Sequence, residues 1–253
     1  MSAVPKNLRQ PVLFLSHGGG PSLFMDAKQY PSTGGMDKHS DAAQFLRELT
    51  RTYLRNRPKA VLVVSAHWSE QVATVMEDKS HSLYYDYYGF PDSTYNVKWQ
   101  VSGAPAVAAR VLQLFKAKGI SCTNIHSRGL DHGVFVPLSL IWPRANVPVL
   151  QVSLKNSLTV ADHQEMGEAL SELSKEGVLI IGSGFMTHTF EKMGQSHKCN
   201  IFQWASDLQK WNHRKFPDIP TYFPHPTSSD HSTIHSFCRM YKVHNFSFID
   251  DDF

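Results

Sequence analysis

Nothing in the 253-residue chain approaches the roughly 18 consecutive apolar residues that a membrane-crossing helix needs, and the first twenty residues hold no apolar stretch followed by a small-residue cleavage site. A cytoplasmic protein with no membrane partner is expected. Cysteine is scarce as well. Cys122, Cys199 and Cys238 stand far apart, which excludes a disulfide framework and a Cys-x-x-Cys metal site and suits a reducing compartment. Charge of one sign is missing too: 25 Lys and Arg face 22 Asp and Glu, a formal +3, and the basic residues are scattered, so no nucleic-acid partner is expected. The spacings of nucleotide-binding glycine loops and of the Gly-x-Ser-x-Gly elbow are absent around Gly18–Gly20, Ser16, Ser65 and Ser183. Paired carboxylates of the glycosidase kind are not evident in the strand-end loops either, where Asp131 is the one acidic residue adjoining a motif histidine.

What is present is a hydrophobic share of 42% against 19% charged residues, enough for a packed core. With no repeats and no linker, residues 1–253 read as one catalytic domain. Short apolar runs alternate with helical patterns. Pro11–Ser16, Ala60–Val64, 120–125, Val147–Leu154 and Gly177–Gly182 read as strands. Helices are expected from Asp41 to about Leu54, from Ala104 to Lys118, at 159–175, at 200–216 and at 229–241. Residues 80–105, rich in Tyr, Gly and Pro, read as an irregular pocket wall. The order strand, helix, strand at the start suggests that the first two strands form a parallel pair. The fold class expected is α/β, a single three-layer domain with a mostly parallel central sheet.

Histidine is the conspicuous surplus, 14 of 253. His17, His67 and His188 each follow the C-terminal end of an apolar run. A single histidine there is commonly a loop residue satisfied by hydrogen bonds; three in the same setting can converge, because loops at that edge of an open α/β sheet meet over neighbouring strands. Imidazole suits zinc, iron, copper and nickel. His132 and His231 have similar polar neighbours and could complete a shell or act as acid and base. His39, His81, His126, His163, His197, His213 and His244 lack such support and read as surface or structural residues.

Six blocks occur in order: Ser16-His-Gly-Gly-Gly-Pro21; Ser65-Ala-His-Trp68; Tyr87-Tyr-Gly-Phe-Pro91 with Tyr95 and Gly103-Ala-Pro105; Gly129-Leu-Asp-His-Gly133 with Val136-Pro-Leu138; Gly182-Ser-Gly184 with Thr187-His188; and His225-Pro-Thr227 with Asp230-His231. Together they resemble the class III extradiol ring-cleavage dioxygenases, in the 4,5-DOPA dioxygenase branch, over about residues 11–240. The resemblance implies a metal held by His17, His67 and His188, with His231 on or beside it. Fe(II) is the catalytic ion expected, and Zn(II) is possible in the same site. It further implies a catalytic base at His132 or His188, the other steering, and substrate contacts from His132, His231 and Tyr95. The substrates implied are a small, DOPA-like catechol and O2. Two alternatives stand beside it: a zinc-dependent hydrolase on the same histidine site and a non-enzymatic metal-binding adaptor of the same fold. The chain departs from the family pattern at Asp230, where members usually carry Glu, and after His231, where Ser-Thr-Ile-His235 replaces a Leu-Pro pair.

Overall fold

A computed structural model of the chain describes residues 9–33, 36–54 and 56–185. Eight strands and five α-helices follow in the order β1 (Val12–Leu15), α1 (Asp41–Tyr53), β2 (Ala60–Glu70), β3 (Ala73–Met76), β4 (Ser80–His81), α2 (Asp92–Tyr95), β5 (Val101–Ser102), α3 (Pro105–Ala117), β6 (Cys122–Ile125), α4 (His132–Ile141), β7 (Val149–Lys155), α5 (Val160–Lys175) and β8 (Val178–Ser183). The helices expected at 200–216 and 229–241 lie outside the described residues.

Helix boundaries follow local chemistry. Ser40 opens α1 by accepting a hydrogen bond from the Ala43 N–H, and Thr159 does the same for Asp162 at the start of α5. Pro105 occupies the first turn of α3, where its missing N–H costs nothing.

Six strands form one sheet in the order β1-β8-β2-β7-β3-β6. β1, β8, β2 and β7 run parallel; β3 is antiparallel to β7, and β6 is parallel to β3. The sheet is therefore mostly parallel, as expected, with one reversal. The first two strands are parallel but not a pair, because β8 inserts between them and bonds to both. β3 is an addition to the sequence reading. β4 and β5 make a separate two-stranded ladder inside the otherwise irregular 80–105 segment.

Period-two alternation divides the core. Val61, Val63, Leu179, Ile181 and Val149 pack on the face that carries α1 and α4, with Leu46, Leu49, Phe135 and Leu138. Leu62, Val64, Ile180, Leu150 and Val152 point to the opposite face, against Val111, Phe115, Leu170 and Leu173 of α3 and α5. Three layers result. Among the described residues, no helix is long and apolar enough to cross a membrane.

Candidate active site

The same alternation places the site. Extending the α4-facing series 61, 63 along β2 reaches Ser65, and extending 179, 181 along β8 reaches Ser183; the two serines are register partners, with Leu15 of β1 on the other side of Ser183. His17 lies two residues beyond Leu15. Polar groups thus gather at the C-terminal strand ends, under the first turn of α4, where His132 begins the helix. His67 arrives by an irregularity: between Val64 and Ser69 of β2, five residues span what two residues of β7 span, from Val152 to Leu154. This bulge swings His67 out of the ladder. Gly18 and Gly20 both take positive φ, which lets the loop after His17 turn back across the sheet edge.

The ring nitrogens of His17, His67 and His132 that could act as ligands all lie within 4.8 Å of one another. His17 Nε2 and His67 Nε2 are 3.0 Å apart. Two nitrogens each about 2.1 Å from one ion, at right angles, would be separated by about 3.0 Å, so this pair suits adjacent positions on one metal. His17 and His132 are buried; His67 is open to solvent.

Each ring is backed by a second group, the usual means of aiming a ligand. His17 Nδ1 lies 2.9 Å from Ser183 Oγ, and that hydroxyl donates to the Gly133 carbonyl. Asp86 Oδ1 accepts from both Nδ1 and the backbone N–H of His132, and Asp86 Oδ2 stands 3.7 Å from His67 Nδ1. Burial would raise the Asp86 carboxyl, but the His132 hydrogen bonds and the neighbouring imidazole charges outweigh it and hold the group below its ordinary pKa. It is an anion at the back of two imidazoles.

A third layer braces this one. Asp131, fully buried, accepts from Ser65 Oγ at 2.8 Å, from Arg128 Nη1 at 3.2 Å and from the Gln151 amide. Ser65 Oγ also accepts the His67 N–H at 3.2 Å, and Arg128 lies 4.5 Å from the centre of the Trp68 ring. Ser65 is thereby a structural residue of the His67 bulge.

Aromatic rings border the imidazoles. Phe185 meets His17 edge-on at 5.2 Å, and Tyr87 meets His132 edge-on at 6.0 Å. Tyr87 donates its hydroxyl to the Thr94 carbonyl, and burial pushes its pKa up to about 12, so it forms a neutral wall rather than a base.

Residues 11–238 match the family described as "LigB: Catalytic LigB subunit of aromatic ring-opening dioxygenase". The chain belongs to the LigB family. It is 36% identical over 201 residues to 4,5-DOPA dioxygenase extradiol of Beta vulgaris, covering 78% of this chain and 69% of that one. It is 38% identical over 176 residues to dioxygenase tasH of Hapsidospora irregularis, covering 69% of this chain and 53%, about half, of that relative's length. A solved structure of an uncharacterized Escherichia coli K12 protein matches with a TM-score of 0.62 at 27% identity, over 85% of this chain and 75% of the other.

Within this LigB-family chain, the structure unites His17, His67 and His132 of the residues singled out in the sequence. His188 and His231 lie outside the described residues. His132, read from sequence as an active-site residue apart from the ligands, stands in the group that could hold the metal. Tyr95 reaches the aromatic wall through Tyr87, with ring centres 5.2 Å apart. Asp86, Ser183 and Phe185 were not singled out as site residues; the proximity of Asp86 to the Tyr84–Tyr88 cluster was the one signal for it.

Proposed function

We propose that the chain is a metal-dependent extradiol dioxygenase that opens the ring of a small, DOPA-like catechol with O2, both oxygen atoms entering the ring-opened product. The observation that carries this reading is the convergence of His17, His67 and His132 at the strand ends, walled by Phe185 and Tyr87 and backed by the Asp86 carboxylate. The names of the plant relatives support the catechol class.

His17 and His67 are the proposed ligands among the described residues, with His188 and His231 completing the set. Bound Fe(II) would supply the route by which electrons of the catechol reach O2, whose reaction with an organic molecule is otherwise slow. His132 is proposed to handle protons. Its Nδ1 donates to the Asp86 carboxylate, which fixes the ring and leaves Nε2 to take a catechol proton and return it later. His17, aimed by the Ser183 hydroxyl behind its Nδ1, is given the ligand role. Tyr95 and His231 are proposed to contact the substrate with His132.

An all-imidazole donor set also accepts Zn(II), which has no redox chemistry and would direct the same site to hydrolysis. Anaerobic loading with either ion, followed by catechol and O2, separates the two. Oxygen uptake with a coloured ring-opened product in the iron form alone is expected. No oxygen uptake with any catechol in the iron form would overturn the dioxygenase reading.

A further inference from the structure

We infer that Pro137 and Ser183 act together as positioning residues that keep the proton of His17 on Nδ1 and leave Nε2 bare toward the metal position. This rests on the reading of His17 as a ligand. In an α-helix the N–H of residue 137 would bond to the carbonyl of residue 133, but proline has no N–H, so the Gly133 carbonyl is left for another donor. Ser183 Oγ, brought beneath the first turn of α4 by the parity of β8, supplies it. A hydroxyl has one proton. With that proton on Gly133, the oxygen can only accept from His17 Nδ1, 2.9 Å away.

The consequence falls on the opposite side of the ring. His17 Nε2 presents a lone pair to His67 Nε2 at 3.0 Å, a contact suited to a shared cation. Gly133 is required for this approach: a Cβ there would stand 3.1 Å from His17 Nδ1 and 2.7 Å from Ser65 Oγ. The carbonyl of Gly133 in the first turn of α4 thus sets the tautomer of a residue 116 positions earlier in the chain.

The test is 15N NMR of the imidazoles in the metal-free full chain above roughly pH 8, where free histidine is neutral, with His17 assigned by difference from His17→Ala. Wild type is expected to carry the proton on Nδ1. Ser183→Ala should move population to Nε2–H and weaken Zn(II) binding on the order of ten- to a hundredfold, with Ser183→Thr restoring both. Pro137→Ala, which supplies a competing N–H, should shift His17 in the same direction. A wild-type His17 protonated on Nε2 overturns the inference without recourse to any variant, as does a Ser183→Ala protein that loses affinity with its tautomer unchanged. If wild type shows the Nδ1 proton but binds no metal, the ligand reading fails and the tautomer assignment stands.

Discussion

Asp86 accepts two hydrogen bonds from His132, one from the ring Nδ1 and one from the backbone N–H, each 2.8 Å long. One carboxylate oxygen therefore fixes both the start of α4 and the direction in which the His132 ring points. Its second oxygen faces His67. Asp86→Asn keeps the shape and an acceptor but removes the negative charge behind His132. Steady-state oxygen uptake should show kcat lowered on the order of ten- to a hundredfold, with the melting temperature little changed. An unchanged kcat would remove Asp86 from the account.

Gly133→Ala tests how tightly the first turn of α4 is set against the site. The added methyl would lie 2.7 Å from Ser65 Oγ and 3.1 Å from both Asp131 Oδ1 and His17 Nδ1. All three groups belong to fully or nearly buried side chains that cannot simply swing away. Destabilisation of about 1–3 kcal/mol is expected in urea unfolding, together with weaker metal binding. A variant as stable as wild type would mean that the turn relaxes freely.

Asp131 is fully buried and pairs with the partly exposed Arg128, while its other polar neighbours, Ser65 and Gln151, are buried. Asp131→Ala leaves a guanidinium, an amide and a hydroxyl without their shared acceptor. A loss of about 1–3 kcal/mol is expected by chemical unfolding, the cost of leaving buried hydrogen-bonding groups unsatisfied. A loss below about 1 kcal/mol would show that water replaces the carboxylate.

His81 carries a pH dependence unrelated to the site. Its Nε2 faces the Val149 carbonyl at 2.9 Å, and burial lowers its pKa against smaller raising effects from that hydrogen bond and from Asp78. The unfolded chain takes up a proton near pH 6.5, where the folded chain still resists it. The contribution is therefore present above about pH 6.5 and lost as the pH falls through the lower folded-state value. Thermal melts between about pH 7 and 5 should fall less steeply for His81→Gln than for wild type. Equal slopes would contradict this.

Much of this architecture was legible in the residues. Ala60–Val64 and Gly177–Gly182 are apolar on both faces, the mark of interior parallel strands, and each runs straight into small polar residues. Together with the run at Pro11–Ser16, that pattern marks the sheet edge and two of the three clustered histidines, His17 and His67. Strand order was not legible, because β8 sits between β1 and β2 through contacts made more than a hundred residues apart in sequence. Ala73–Met76 escaped notice as a strand, being four residues long without flanking turn signals. Asp86 escaped for a similar reason: it reaches His132 across 46 positions from an irregular, tyrosine-rich segment that has no period to exploit. Ser183 looked like part of a small-residue loop, and only the parity of β8 shows it facing His17.

The central claim is that His17 and His67 hold one catalytic ion and that His132 moves protons beside it. Anaerobic equilibrium dialysis with Fe(II), followed by oxygen uptake on a catechol, tests it across wild type and the three alanine variants. The account predicts one ion per chain in wild type and His132→Ala, with turnover in the latter reduced about 10²–10⁴-fold, and loss of both ion and turnover in His17→Ala and His67→Ala. Retention of iron and activity in His17→Ala, or equal iron loss in all three variants, would contradict it.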